Sequence, residues 1–343
     1  MFRSVCLFFH RLICTLALVA LGASLCTDLH AQVVTEVSVQ PDPVTSETAV
    51  VGFGSLRAAA FNPDRTLMAG ATGGMSVILR DSASQRAIGS LNGHTEPVNA
   101  VAFSPDGHTL ASAGEDATIK LWDVTTQKQL RSLAGHKNYI DCLAFTPDGR
   151  VLASASADST VGIWDAATGK ELRSIESPAG WVHALAVSPD GKTVAYVAAD
   201  QKIRLAEIAS GKELAVFVGH PRFINEVVFS PDGHNMASAS LDHTVKLWDI
   251  ADGHLIRSLT GHPSSVRAVA FSPDGEWLAS SGEGDDIHVT ALKDPPRDCV
   301  LKGTSSKILK LAFSRDSKAL LAAEDSSAVQ HWDWAPGSCP FKE

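Results

Sequence analysis

The sequence lacks the patterns that usually announce a chemistry. GxSxG, HExxH and a Walker-type phosphate loop are all absent, which removes the common marks of an esterase, a zinc protease and a nucleotide enzyme. Its 13 histidines include no pair at close ligand spacing, so neither a metal site nor a cofactor is expected. No run of five like charges occurs, which excludes a charged tail. The apolar run from Leu12 to Leu25 is too short for the roughly 20 residues that span a bilayer.

That run follows Arg3, His10 and Arg11 and ends in small residues, the order of a secretory signal peptide. Residues 1–31 are therefore expected to be a leader, cut after Leu29-His30-Ala31, with Gly22-Ala23-Ser24 as a second site. The expected location is extracytoplasmic, periplasmic or secreted; an uncleaved leader would instead make a membrane-anchored subunit. Leu25 before Cys26 argues against a lipoprotein cut. Without Arg3, Arg11 and Asp28 the chain keeps 27 basic and 37 acidic residues, a net charge of −10. That balance provides no basic footprint for nucleic acid. Three cysteines remain. Cys142 falls in an apolar strand pattern, as a small core residue would. Cys299 and Cys339 fall at similar phases of successive repeats, on outer strands expected to lie too far apart to bridge.

What the sequence does have is a period. Gly-His pairs stand at Gly93, Gly135, Gly219 and Gly261, and Trp-Asp pairs at Trp122, Trp164, Trp248 and Trp332, spaced by 42 residues or multiples of 42. Turn tetrads keep the same register: Asn62-Pro63-Asp64-Arg65, then Ser104, Thr146, Ser188, Ser230 and Ser272 each followed by Pro-Asp-Gly, then Ser314-Arg315-Asp316-Ser317. Proline presets the second position of a type I turn and glycine suits the fourth. Around each turn lie four short strand patterns, in one copy Val98–Phe103, Leu110–Ala113, Ile119–Trp122 and Gln129–Leu133. Spacers of four to six residues leave no room for helices. Seven such units make an all-β chain, a seven-bladed propeller of four-stranded antiparallel blades. Residues 32–43, with Pro41 and Pro43, read as an extended segment, and 44–343 as one domain.

These registered motifs resemble the WD-repeat family over residues 44–334. The resemblance implies a buried polar set of His, Ser, Asp and Trp in each blade. It can be matched in blade two (His94, Ser112, Asp116, Trp122), blade three (His136, Ser154, Asp158, Trp164) and blade five (His220, Ser238, Asp242, Trp248). Identical copies suit structural repetition rather than catalysis. Blade one (Gly52, Arg80), blade four (Pro178, Ala206), blade six (Gly284, Thr290) and blade seven (Thr304) depart from it and should be pinned less tightly. Shifting the outer-strand register back by 42 residues lands on Val44–Val51, which is expected to supply the outer strand of the last blade and close the ring.

Function is expected where the repeats vary. Four residues after each repeat glycine stand Ser55, Pro97, Tyr139, Trp181, Phe223, Ser265 and Lys307, with aromatics in three consecutive blades. Two residues further on stand Arg57, Asn99, Asp141, His183, Asn225, Arg267 and Leu309, a mostly polar column expected near the central channel. The resemblance places these columns on the rim that receives partner proteins or peptides, and aromatics among polar groups have the composition of interface hot spots. The expectation is a non-enzymatic scaffold whose binding residues are Tyr139, Trp181, Phe223, Asn99, Asp141, His183, Asn225 and Arg267. The alternatives are an enzyme at the channel mouth using Asp141, His183 and Arg267, and a membrane-anchored subunit of a larger complex.

Overall fold

In the computed structural model, residues 56–283, 286–293, 297–302 and 306–333 are described, and all lie within one compact unit, Thr48–Glu343. They form six four-stranded sheets and one three-stranded sheet, each an antiparallel meander, with no helix among the described residues. The seven-bladed propeller expected from the period is the fold observed. In blade two the strands run Val98–Phe103, Thr109–Gly114, Thr118–Asp123 and Gln129–Ala134.

The tight reversals follow from the turn residues. Gly107 N–H donates to Ser104 O at 2.9 Å with Gly107 at φ 75°, a conformation cheap for glycine. Ser104 Oγ and Asp106 Oδ1 then accept the N–H groups of Thr109 and His108, each at 2.9 Å. Where glycine is missing, Arg65 and Ser317 adopt the same left-handed backbone at φ 65° and 60°.

The core is distributed in layers between neighbouring blades rather than gathered at one centre. Leu79 and Ala69 of blade one meet Val98, Leu110 and Trp122 of blade two, and equivalent layers follow around the ring. The ring closes within the described residues. Leu56, Phe61 and Met68 of blade one pack on Ala312, Leu321 and Val329 of blade seven. Leu56 N–H donates to Asp325 O at 2.8 Å, and Gln85 exchanges two hydrogen bonds with the Val329 backbone. The proposed closing strand Val44–Val51 and residues 1–43 lie outside the described residues.

Blade four shows how a departure is accommodated. Tyr196 stands where blades two, three and five have the buried serine, and Ala206 where they have tryptophan; both are buried in one layer. The bulk moves from the third strand to the second, a near volume-conserving exchange. Arg204 takes both Asp200 oxygens at 2.9 and 2.7 Å.

One cysteine expectation is corrected. Cys299, on the outer strand Asp298–Lys302, is buried and disulfide-bonded rather than unpaired, with its partner outside the described residues. Cys142 is free and half-buried, its Sγ 3.7 Å from Leu185 O; burial pushes its thiol pKa up.

Candidate functional site

The twelve residues of the predicted polar sets come together as expected. In blade two Trp122 Nε1 donates to Ser112 Oγ, Ser112 Oγ lies against His94 Nε2, and His94 Nδ1 meets Asp116 Oδ2, each at 2.8 Å. Burial holds the His94 pKa below the ordinary imidazole value, so one ring nitrogen carries a proton. With an ionised Asp116 accepting from Nδ1–H, Ser112 must donate to Nε2, and every proton in the chain is used once. Blade three repeats this through Trp164, Ser154, His136 and Asp158, and blade five through Trp248, Ser238, His220 and Asp242, all between 2.6 and 2.9 Å. Blade six retains only His262 Nε2 to Ser280 Oγ at 2.8 Å. The distances are those of a Ser-His-Asp triad, yet Ser112, Ser154 and Ser238 are each 0% exposed, so no substrate reaches them.

The glycine of each Gly-His pair belongs to the same assembly. A Cβ on Gly135 would lie 2.7 Å from the Trp164 ring, and one on Gly219 would lie 2.6 Å from Trp248. The indole edge rests on bare backbone, which explains why the two motifs travel together.

The variable polar column is placed by a bulge. In all seven inner strands, pairing with the second strand skips one residue: Arg57, Asn99, Asp141, His183, Asn225, Arg267 or Leu309. A bulge frees its extra residue from the ladder and re-aims the side chain. All seven residues line the central channel, about 620 Å³ in volume.

Above this ring the aromatic column forms a contiguous array. Ring centroids of Tyr139 and Trp181 lie 6.3 Å apart, Trp181 and Phe223 5.7 Å, and His183 stacks on Phe223 at 4.0 Å. All three aromatics are half-buried. Trp181 Nε1 donates to Asp141 Oδ2 at 2.5 Å. The predicted Tyr139, Trp181, Phe223, Asp141 and His183 are therefore one cluster. Asn225 joins blade five to blade six through Val266 O at 2.6 Å. Asn99 and Arg267 stand apart: Asn99 Oδ1 accepts from Arg57 at 2.7 Å, and Arg267 is bound by Glu283.

Burial raises the Asp141 pKa to about 6, and Glu115 adds to the shift against the opposing Trp181 hydrogen bond. Burial depresses His183 to about 4; its Nε2 lies 3.1 Å from Ile224 O, and its Nδ1 is buried without a partner.

Two features were not drawn from the sequence. The column after the bulge reads Ala58, Ala100, Cys142, Ala184, Glu226, Ala268 and Lys310. It is small except for opposite charges in blades five and seven, and Glu226 binds Lys310 across the channel. Burial opposes the Lys310 charge, and Glu226 more than offsets it, holding that pKa above the ordinary lysine value. The second feature is a turn column beside the aromatic one. Ala157 N–H donates to Tyr139 O and Leu241 N–H to Phe223 O, whereas Glu115, Glu283 and Asp325 occupy this place beside Pro97, Ser265 and Lys307. This turn column is thus apolar in blades three to five (Ala157, Ala199, Leu241), glycine in blade one (Gly73), and acidic in blades two, six and seven. Comparing both columns at the 42-residue offset would have revealed this.

Among the described residues, one group of possible metal ligands occurs, Asp249, Asp252 and His254. It lies in a surface turn of blade five, where His254 Nδ1 meets Asp252 Oδ1 at 2.5 Å.

Ring, polar sets and channel together define a WD-type β-propeller. The family model described as WD domain, G-beta repeat matches residues 85–123, 127–165, 169–206, 211–249 and 253–289, more than half of the chain, and the chain belongs to that family. Propellers of this family generally bind proteins or peptides and are generally non-catalytic. The matches leave out most of blade one, where Gly70 and Arg80 replace the buried serine and tryptophan, and blade seven, where Ala322 replaces the serine. A search of curated proteins returns no similar sequence.

Proposed function

We propose that this chain is an extracytoplasmic interaction scaffold that receives a protein or peptide segment on its upper face, over blades three to five. The observation that carries the reading is the joined array of half-buried Tyr139, Trp181 and Phe223, backed by the buried His183 and flanked by Ala157 and Leu241. Rigid aromatics offer large contact area at low entropic cost, and contiguous apolar patches on soluble proteins mark binding sites. The leader pattern of residues 1–31 and the Cys299 disulfide both support an oxidising, extracytoplasmic location.

Among the described residues, the candidates for an enzyme at the channel mouth are engaged elsewhere. Arg267 is held by Glu283, and the hydrogen-bonded Nε2 of His183 faces a backbone carbonyl. The test is hydroxyl-radical footprinting of the full chain bound to a partner captured from its native compartment. Protection should centre on Tyr139, Trp181 and Phe223; protection confined to the outer strands or lower face would contradict the reading.

A further inference from the structure

Resting on that reading of the upper face, we infer that the bound segment delivers an arginine side chain to Asp141, with the aromatic array as the wall of its pocket. Arg57, Arg267 and Lys310 line the channel. Arg57 binds Glu115 at 2.5 Å and Asn99 at 2.7 Å. Arg267 is bound by Glu283, and Lys310 by Glu226. Each of these three cations already has its carboxylate, and Arg65, a fourth cation in the channel lining, is spent on the Phe313 carbonyl at 3.1 Å. Asp141 is the reverse case: one oxygen accepts from Trp181 Nε1, and no cation among the described residues pairs with the group.

Its neighbours cannot supply the missing charge. His183 Nε2 is within hydrogen-bond distance of the Ile224 carbonyl, so this nitrogen carries the proton and Nδ1 presents a lone pair. Asn225 spends an amide N–H on Val266 O, leaving its carbonyl oxygen as an acceptor. The bulged residues of blades three, four and five thus offer acceptors in consecutive positions, beside three aromatic rings. Docking a neutral apolar segment here would seal a carboxylate away from water without compensation, which is costly.

The complementary group is a cation with several N–H donors and a flat face. A guanidinium has five donors in a planar fork and stacks on aromatic rings; an ammonium is a compact, strongly hydrated point charge. The net charge of −9 over the chain also favours approach of a basic segment.

The test uses the folded full chain labelled with ¹⁵N, following the Trp181 indole resonance, assigned by its loss in Trp181→Phe. The probes are the N-acetyl amides of arginine, citrulline and lysine. Citrulline keeps the shape of arginine without the charge. Arginine amide should shift the resonance saturably, with citrulline and lysine amides at least about tenfold weaker. Asp141→Asn, checked for folding by near-ultraviolet circular dichroism, should remove the arginine preference. No saturable shift with arginine, equal response to citrulline or lysine, or an undiminished preference in Asp141→Asn would each overturn the inference. Failure of the wider reading is separable: it would appear as partner capture indifferent to loss of Tyr139 and Phe223, whatever the arginine probe does.

Discussion

Trp181 Nε1 donates to Asp141 Oδ2 at 2.5 Å across the seam between blades three and four. This ties the central ring of the aromatic array to a carboxylate that burial has pushed up to about 6. An acid with a raised folded pKa binds its proton more tightly when folded than when unfolded. Between about pH 4 and 6 the folded state therefore holds more protons, and stability falls as pH rises through that window. Asp141→Asn should then be more stable than the wild type at pH 7.5, on the order of 1 kcal/mol after allowance for solvent screening, and equal to it below pH 4. Urea unfolding at the two pH values checks this.

Histidines give the opposite slope. Burial depresses His183 to about 4, and burial with the nearby His288 depresses His262 to about 3. Unfolded, both titrate near 6.5. Their contribution is complete above that pH and is lost as pH falls toward the folded values. His183→Gln should flatten the stability profile between pH 6.5 and 4, where the wild-type group changes stability by about 3 kcal/mol. A series of chemical denaturation curves across this range reads it.

The polar sets should fail in proportion to the groups they leave unpaired. Ser112 satisfies both Trp122 Nε1 and His94 Nε2, whereas Ser280 serves the His262 ring with no tryptophan in its blade set. Ser112→Ala is expected to cost about 2–4 kcal/mol and Ser280→Ala about half as much. Gly135→Ala, which drives a methyl into the Trp164 ring, should cost about 1–3 kcal/mol by overpacking. Equilibrium unfolding of the three variants gives the comparison.

Glu226 and Lys310 form a pair whose parts are worth more than its whole. Lys310→Met leaves Glu226 in the channel with Val269 N–H at 2.8 Å but without its cation, and because both side chains are partly open to water about 1–2 kcal/mol should be lost. Glu226→Leu combined with Lys310→Met should recover most of that loss, since well-packed apolar replacements of buried pairs are often neutral. A double-mutant cycle on unfolding free energies measures the coupling.

The 42-residue period made the fold readable, because each landmark recurs where one blade's physics requires it. The serine, histidine, aspartate and tryptophan of blade two could be matched by offset alone, and their hydrogen bonds follow. The aromatics Tyr139, Trp181 and Phe223 were legible as a column that varies while its neighbours hold. The column from Arg57 to Leu309 was legible as polar and close to the channel; the bulge that aims it there was not, because a bulge belongs to the pairing between strands and leaves no mark within one strand. Glu226 and Lys310 were passed over for a related reason: they lie 84 residues apart and meet only when the ring closes. The Cys299 disulfide escaped because phase along a repeat says nothing of Cα separation across the fold.

The central claim is that a partner docks on the aromatic sector of the upper face. Its most direct test is the affinity of a captured partner for the wild-type chain and for the triple variant Tyr139→Ala, Trp181→Ala, Phe223→Ala, with folding confirmed by cooperative thermal unfolding. Loss of affinity by at least about tenfold in a folded variant is the predicted result. A folded triple variant that binds the partner as tightly as the wild type would contradict it.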